Sequence, residues 1–374
     1  MSAFTDTLAR IRQGLQGHNK GVNFGLNKVS RFIPNIQPKR ITTICAGSGV
    51  GKTTLAIYMY IFSPYEAYIR DSTTDYKCIF YTLEIDMVSV IAKLISMKLY
   101  ADYRILISPD IMFSSTPGQT LPSNILALIE SYAEYFERLE EIIEFIDEPT
   151  NPTGISKRAE EFALESGRKV YYKRDGSECE HDDPLKYRWL YVPNNPRQVR
   201  QLIIDHSGCL KKEQEARSNK EKIDLMCEKM VYSRNKLMLS WCVLSQLNRS
   251  LEGAERQMHT SHKKNYELLV PGPADLKDTG NLFESSDVVI YGFNPFDYGI
   301  PEFAGYKIAE MKDRFRIIGI MKNRYGRANI MTGYGYIGEA SFFVEIPESS
   351  AMTSFHYNVL ANIGRDETLN LTHH

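Results

Sequence analysis

One stretch of the sequence, Arg40 to Ile57, constrains the fold more than any other. It reads RITTICAGSGVGKTTLAI, in which a short β-branched run is followed by a loop with three glycines and then by an apolar helical pattern. Strand, glycine loop and helix in this order are the structural context of a phosphate-binding P-loop. Glycines let the backbone curve so that successive N–H groups point at one anion, and the N-terminus of the next helix adds partial positive charge. The sequence therefore predicts a binding site for a nucleoside triphosphate.

The glycine loop also supplies the side chains that such a site needs. Lys52 would reach the β- and γ-phosphates, and the hydroxyl of Thr53 would bind Mg²⁺. Ala46 stands where the strict motif has its first glycine. The alternative is a glycine turn before a core helix, with no ligand. We predict the following nucleotide-binding residues: Gly47, Ser48, Gly49, Val50, Gly51, Lys52, Thr53 and Thr54.

Length and composition narrow the class of protein. The 374 residues suffice for one large α/β domain or for one domain with an appendage. The formal net charge is −1, so the chain as a whole has no excess positive charge that would attract nucleic acid. Residues 1–40 are nevertheless locally basic. No apolar run is long enough for a membrane span, and residues 1–20 lack the apolar segment of a signal peptide. The six cysteines form no CxxC pair and lie mostly in apolar runs, where a free thiol behaves as a small buried hydrophobe, so a reducing, cytoplasmic setting fits best.

Glu84 is the first acidic candidate outside the loop. It follows Lys77–Leu83, an apolar run that predicts a buried strand, and a helical pattern comes after it. At the tip of a strand beside a P-loop, a carboxylate can polarise the water that attacks the γ-phosphate. The alternative is a glutamate that only interacts with the dipole of the following helix.

Two further strand ends carry polar side chains. The run Val199–Asp205 predicts a strand that ends in an acid, and Mg²⁺ prefers carboxylate oxygens, so Asp205 beside Thr53 suits the metal. The run Lys236–Ser245 predicts another buried strand, with Gln246 directly after it. An amide at this position can hydrogen-bond a γ-phosphate and move when that phosphate leaves. The alternative is an ordinary polar strand end.

The remaining patterns predict additions to a mostly parallel sheet. Phe4–Leu15 has the spacing of an amphipathic helix, which needs a partner surface either on its own domain or on a neighbouring subunit. Residues 169–192 have the composition of an inserted hairpin. Three β-type runs predict antiparallel strands at the edge of the sheet: Phe315–Lys322, Asn329–Ile337 and Ser341–Ile346.

Taken in order, these segments resemble the RecA-type ATPase domain of DnaB-like replicative helicases, from about Gly21 to Pro347. The most specific match is LSQLNRSLE, Leu244 to Glu252, which is similar to the family's own motif. The other matching segments are GVNFGLNKV (21–29), AGSGVGKTT (46–54), TLE (82–84), IIDH (203–206), ADLKDTG (274–280) and KNRYG (322–326). The resemblance implies an α/β fold: a RecA-like, mostly parallel sheet flanked by helices, with antiparallel edge strands and a short N-terminal linker helix.

The resemblance also implies a role for each matching residue of the nucleotide site. Lys52 and Thr53 would hold phosphate and Mg²⁺, and Asp205 would hold the metal indirectly. Glu84 would activate the attacking water, and Gln246 would sense the γ-phosphate. The implied ligands are ATP, or another nucleoside triphosphate, and Mg²⁺.

Two matching segments imply contacts beyond the subunit. Lys322 and Arg324 would reach the ATP of the neighbouring subunit, so hydrolysis would be a property of a ring, and a homohexamer is expected. An arginine supplied in this way is worth about 10³–10⁵ in rate in GTPases. Lys277, Asp278 and Gly280 would line the central channel and contact the backbone of single-stranded DNA. A primase, a loader or a polymerase is a further implied partner.

The resemblance divides the chain into three parts. Residues 1–20 are a linker helix and connector, residues 21–347 are the RecA-like domain with the inserted hairpin at about 169–192, and residues 348–374 are an irregular tail. We expect no separate N-terminal collar domain, and we expect the linker helix to dock on the adjacent subunit. The insertion has no counterpart in the family. A compact, collarless helicase of this kind favours a bacteriophage or another mobile element as its source.

The function implied by the resemblance is that of a ring-shaped replicative DNA helicase. It would couple ATP hydrolysis at subunit interfaces to 5′–3′ translocation on single-stranded DNA and to duplex unwinding. One alternative is a RecA/RadA-like filament or KaiC-like ring that uses ATP as a switch without unwinding. Another is an accessory ATPase that loads or supports a different helicase.

Overall fold

Nine strands pair into one twisted sheet at the centre of the computed structural model, which describes residues 3–17, 19–71, 73–115, 117–213, 218–247, 266–276 and 280–364. In chain order the strands of these ranges, β1 to β14, are Ile41–Ala46, Tyr76–Thr82, Ile143–Ile146, Gly167–Tyr172, Glu178–Cys179, Arg188–Pro193, Val199–Asp205, Ser240–Gln246, Val288–Phe293, Glu302–Phe303, Tyr306–Lys307, Phe315–Asn323, Ile330–Ile337 and Phe342–Glu345. The order across the central sheet is β14-β13-β12-β9-β1-β8-β7-β2-β3.

Helices cover both faces of this sheet. In chain order the α-helices of the described ranges, α1 to α13, are Ala3–Leu15, Asn27–Ser30, Lys52–Ile57, Ser63–Arg70, Met87–Tyr103, Pro109–Met112, Ser123–Glu130, Ala133–Glu140, Pro152–Leu164, Asn219–Leu237, Gly280–Ser285, Ile308–Met311 and Ser354–Asn362. A π-helical segment, Tyr58–Phe62, joins α3 to α4. None of the helices in these ranges combines the length and the apolar character that a membrane span requires.

The core is divided by the sheet into two layers. Successive side chains of a strand point to opposite faces. In β8, Cys242 and Leu244 pack with the helices that follow the P-loop, whereas Trp241 and Val243 pack with α9 and α10. Since both faces are covered, the strands are apolar almost throughout, as expected for a parallel sheet.

The parallel strands β9, β1, β8, β7, β2 and β3 bring their carboxyl ends to one edge of the sheet. Ala46 at the end of β1 is level with Gln246 on one side and with Gly292 on the other. Thr82 at the end of β2 is level with Asp205 at the end of β7. The polar residues that follow separate apolar runs in the sequence therefore share this edge.

Three strands at the β9 side run antiparallel. β12 pairs with β9, β13 with β12, and β14 with β13. Because β12 runs against β9, its last residue, Asn323, is level with Val288, the first residue of β9. The predicted fold class, a RecA-like and mostly parallel sheet flanked by helices with antiparallel edge strands, is confirmed.

Two predictions from the sequence are wrong, one on the start of a strand and one on the C-terminal tail. The strand expected at Lys236–Ser245 begins only at Ser240, because α10 continues to Leu237 and ends where Met238 takes a left-handed conformation with φ of 60°. The tail expected to be irregular contains the helix Ser354–Asn362. Two of its side chains, Tyr357 and Leu360, are buried in a cluster beside β9 and β12, and this burial stabilises the helix.

Two additions lie outside the central sheet. Residues 167–193 form a small antiparallel sheet, in which β4 pairs with both β5 and β6. The N-terminal helix α1 exposes Phe4, Ile11 and Leu15, of which Leu15 is 85% exposed.

Candidate nucleotide-binding and catalytic site

The glycine loop between β1 and α3 has the backbone that a P-loop requires. Gly49 and Gly51 have φ of 77° and 102°, in the left-handed region that favours glycine. A Cβ built at Gly49 would have no atom within 4 Å, so this part of the loop faces open space. At Gly49 the loop is therefore not covered by other described residues.

A buried arginine that sequence reasoning missed supports the glycine loop through a hydrogen bond to its backbone. Arg316 in β12 is buried, and its Nε donates to the carbonyl of Val50 at 3.0 Å. Its guanidinium lies 4.4 Å from the ring centre of Tyr336, and that ring packs under Gly51. An arginine within the apolar strand RIIGIMK was the signal in the sequence.

Lys52 and Glu84 face each other in front of the loop. Lys52 begins α3 and is 8% exposed, and Glu84 follows the end of β2 with 39% of its side chain exposed. Nζ of Lys52 lies 3.9 Å from Oε2 of Glu84. A lysine and a carboxylate that both face an open phosphate loop can divide two tasks, the binding of an anion and the acceptance of a proton.

Thr53 and Asp205 form the pair expected at a magnesium site. The hydroxyl of Thr53 donates to Oδ2 of Asp205 at 2.6 Å. Asp205 is fully buried, and its Oδ1 has no hydrogen-bond partner within the described ranges. Burial raises the pKa of Asp205 to about 6, against the opposing effects of the Thr53 hydrogen bond and of Lys52. A hydroxyl beside a buried carboxylate oxygen that lacks a partner fits the oxygen ligands of Mg²⁺.

Gln246 ends β8 directly beside the loop. It is level with Ala46 and partly exposed, so its amide lies at the same edge as Lys52 and Asp205. Of the predicted DNA-binding residues, Lys277 and Asp278 lie outside the described residues. Gly280 is exposed and begins α11.

Lys322 and Arg324 lie at the opposite edge of the sheet, at the end of β12. Nζ of Lys322 donates to the carbonyls of Phe283 and Glu284 at 2.6 and 2.9 Å, where α11 ends. Arg324 donates to the same Glu284 carbonyl at 2.6 Å and pairs with Asp287 at 3.1 Å. These two residues are therefore not brought to the glycine loop of their own chain.

Comparison with known proteins identifies the fold. No family model matches this chain, and no curated protein matches its sequence. Among solved structures, one described as an ATPase domain aligns over 93% of this chain and 100% of its own length, with a TM-score of 0.64 and 15% identity. A DnaB-like replicative helicase, described with its interactions with primase, aligns over 91% of this chain and 68% of its own, with a TM-score of 0.63 and 16% identity. The chain has the fold of a DnaB-like helicase ATPase domain.

Proposed function

We propose that this chain is the subunit of a ring-shaped DNA helicase that hydrolyses a nucleoside triphosphate. The observation that carries the proposal is the division of the candidate residues between two edges of one sheet. Lys52, Glu84 and Asp205 share one edge, whereas Lys322 and Arg324 lie at the other. A strand of the length of β9 separates the two edges by roughly 17 Å. A subunit ring, in which one edge meets the opposite edge of the next copy, brings both sets to one nucleotide.

Within one subunit, the residues at the loop edge divide the chemistry of hydrolysis. The backbone of the glycine loop and Lys52 bind the phosphates, while Glu84 accepts the proton of the attacking water. Thr53 would hold Mg²⁺ and Asp205 would hold it indirectly, and the metal would supply positive charge against the charge of the phosphates. Gln246, level with the loop, contacts the γ-phosphate and moves when that phosphate leaves.

The second subunit completes the site. Lys322 and Arg324 leave the α11 carbonyls and extend to the phosphates of the neighbouring copy, where they stabilise the negative charge of the transition state. We expect a homohexamer, because a contact between two different surfaces closes into a ring when the rotation permits. The exposed apolar residues of α1, Phe4, Ile11 and Leu15, provide a second contact between neighbours.

Single-stranded DNA is the polymer on which such a ring moves. Lys277, Asp278 and Gly280 are the proposed contacts, with the basic residue and backbone N–H groups on the phosphates. Gly280, exposed at the start of α11, leaves its backbone accessible from outside. Contacts of this kind are independent of base sequence and weaken as salt concentration rises.

A forked duplex tests this function directly. With ATP and Mg²⁺, the wild-type protein should release the displaced strand from a fork with a 5′ tail, and Lys52→Ala should release none. Images of the protein with a non-hydrolysable ATP analogue and single-stranded DNA should contain closed rings. DNA-dependent hydrolysis without strand release, together with helical arrays, would instead indicate a filament or switch ATPase.

A further inference from the structure

The loop after β7 places a histidine beside Glu84. His206 follows Asp205 directly, and Ser207–Cys209 form a single 3₁₀ turn. The backbone N–H of Gly208 donates to Nδ1 of His206 at 3.0 Å. Since Nδ1 is an acceptor, the proton of the neutral imidazole is on Nε2.

Nε2 of His206 faces two acceptors. It lies 3.4 Å from Sγ of Cys209 and 3.7 Å from Oε2 of Glu84. The second distance exceeds that of a hydrogen bond, and a shift of about 1 Å would close it. Catalytic hydrogen bonds are often long without substrate and tighten when substrate is bound.

A buried lysine holds this loop in place. Lys222 in α10 donates from Nζ to the carbonyl of Gly208 at 3.0 Å and to that of Leu210 at 2.7 Å. Its side chain is almost fully buried, so the ammonium group depends on these two carbonyls. The imidazole of His206 is therefore oriented by a turn that is itself fixed to α10.

Lys52 and His206 approach the same carboxylate oxygen. Nζ of Lys52 lies 3.9 Å from Oε2 of Glu84, and Nε2 of His206 lies 3.7 Å from it. When Lys52 turns to the phosphates of a bound nucleotide, His206 remains beside Glu84 as a donor from the described part of the chain.

We propose that His206 is a positioning residue for Glu84, an inference that rests on the proposed function. The Nε2–H holds one oxygen of Glu84, and the other oxygen accepts the proton of the attacking water. The water oxygen bonds to the γ-phosphorus, the bond from that phosphorus to the leaving diphosphate oxygen breaks, and the products are a nucleoside diphosphate and phosphate. A purely structural role is the competing explanation, because Nδ1 also caps the 3₁₀ turn.

Two substitutions of His206 test the roles of its two ring nitrogens separately. In His206→Asn, the side-chain oxygen can still accept the Gly208 N–H, but no donor reaches Glu84. In His206→Gln, the amide N–H₂ occupies the position of Nε2, whereas the cap is lost. The measurements are kcat and KM for ATP with saturating single-stranded DNA, the affinity for a fluorescent ATP analogue, and Tm.

We expect the two variants to rank in opposite order in kcat and in Tm. His206→Asn should keep its Tm and its nucleotide affinity and lose about tenfold or more in kcat, since a positioned base contributes about 10²–10⁴ to rate. His206→Gln should have the lower Tm and the higher kcat of the two variants. If the kcat of His206→Asn equals or exceeds that of His206→Gln, the inference is wrong, while the proposed function stands. A wild-type protein that binds no ATP, or does not hydrolyse it, overturns both.

Discussion

At the scale of single residues, Asp205 is where the requirements of the site and of the fold conflict. Its carboxyl group is fully buried, and burial raises its pKa from 3.8 to about 6. Because the folded-state pKa lies above the unfolded one, the protonated carboxyl favours the fold. The destabilisation caused by the ionised form is absent below the unfolded value of 3.8 and complete above about pH 6.

We predict that Asp205→Asn raises the free energy of unfolding of the nucleotide-free protein by about 3 kcal/mol at about pH 8, since each pH unit of pKa difference corresponds to about 1.4 kcal/mol. Urea denaturation without Mg²⁺ measures this difference, which should shrink as pH falls towards 4. Added Mg²⁺ should stabilise the wild type more than the variant, because the variant lacks the charged ligand. A variant less stable than the wild type at about pH 8 would contradict this assignment.

At the scale of elements, β12 supports the candidate nucleotide site, although none of its residues is a proposed ligand of that site. Its Arg316 donates to Val50 and stacks on Tyr336, so the strand fixes both the middle and the end of the glycine loop. The same strand carries Lys322 at its far end. β12 therefore connects the support of one nucleotide site with the residues proposed to act on another.

We predict that Arg316→Met weakens nucleotide binding and destabilises the fold by about 1–3 kcal/mol, the effect of leaving a buried carbonyl unpaired. Titration with a fluorescent ATP analogue and urea denaturation measure the two effects. Arg314→Met is the matched control, because the guanidinium of Arg314 pairs with Glu339. Equal nucleotide affinity in the two variants would exclude a specific role of Arg316 in holding the loop.

At the scale of the whole molecule, the separation of the two edges predicts complementation between subunits. Lys52→Ala lacks its own phosphate lysine but retains Arg324, and Arg324→Ala has the reverse defect. Each variant alone should have little ATPase activity. Rings assembled from a mixture of the two should regain part of it, because some interfaces combine an intact loop with an intact arginine. ATPase assays of the mixed and the separate preparations measure this effect. No gain in activity on mixing would indicate that Lys52 and Arg324 act on a nucleotide bound by their own chain.

The exposed face of α1 leads to a second prediction at this scale. Replacing Phe4, Ile11 and Leu15 with serine should reduce the mass of the assembly, since three apolar side chains then no longer dock on a neighbour. Mass photometry with ATP measures the distribution of oligomers. Serine at Arg12 and Gln13 of the same helix, and at Gln16 just after its end, is the matched control. Identical distributions for the two triple variants would argue against this docking.

Local pattern was sufficient to locate much of the candidate site. The glycine loop, Glu84, Asp205 and Gln246 each follow an apolar run, and the end of a strand is visible in a sequence as the change from apolar to polar residues. The resemblance to a helicase family then added Lys322 and Arg324. The same alternation of strand and helix patterns indicated an α/β chain, and the resemblance implied the RecA-like form of its sheet.

Other features depend on contacts between residues far apart in the chain. The interactions of Arg316 with Val50 and of His206 with Glu84 join segments with no common local pattern. The helix at Ser354–Asn362 likewise exists where its apolar side chains meet a distant cluster. By itself, the sequence indicated near which residues the strands end and which loop has the pattern of a phosphate-binding loop, because those patterns arise from neighbours along the chain. Only the tertiary structure decided which of these ends share an edge and what supports them, because strand order and burial arise from packing between distant segments.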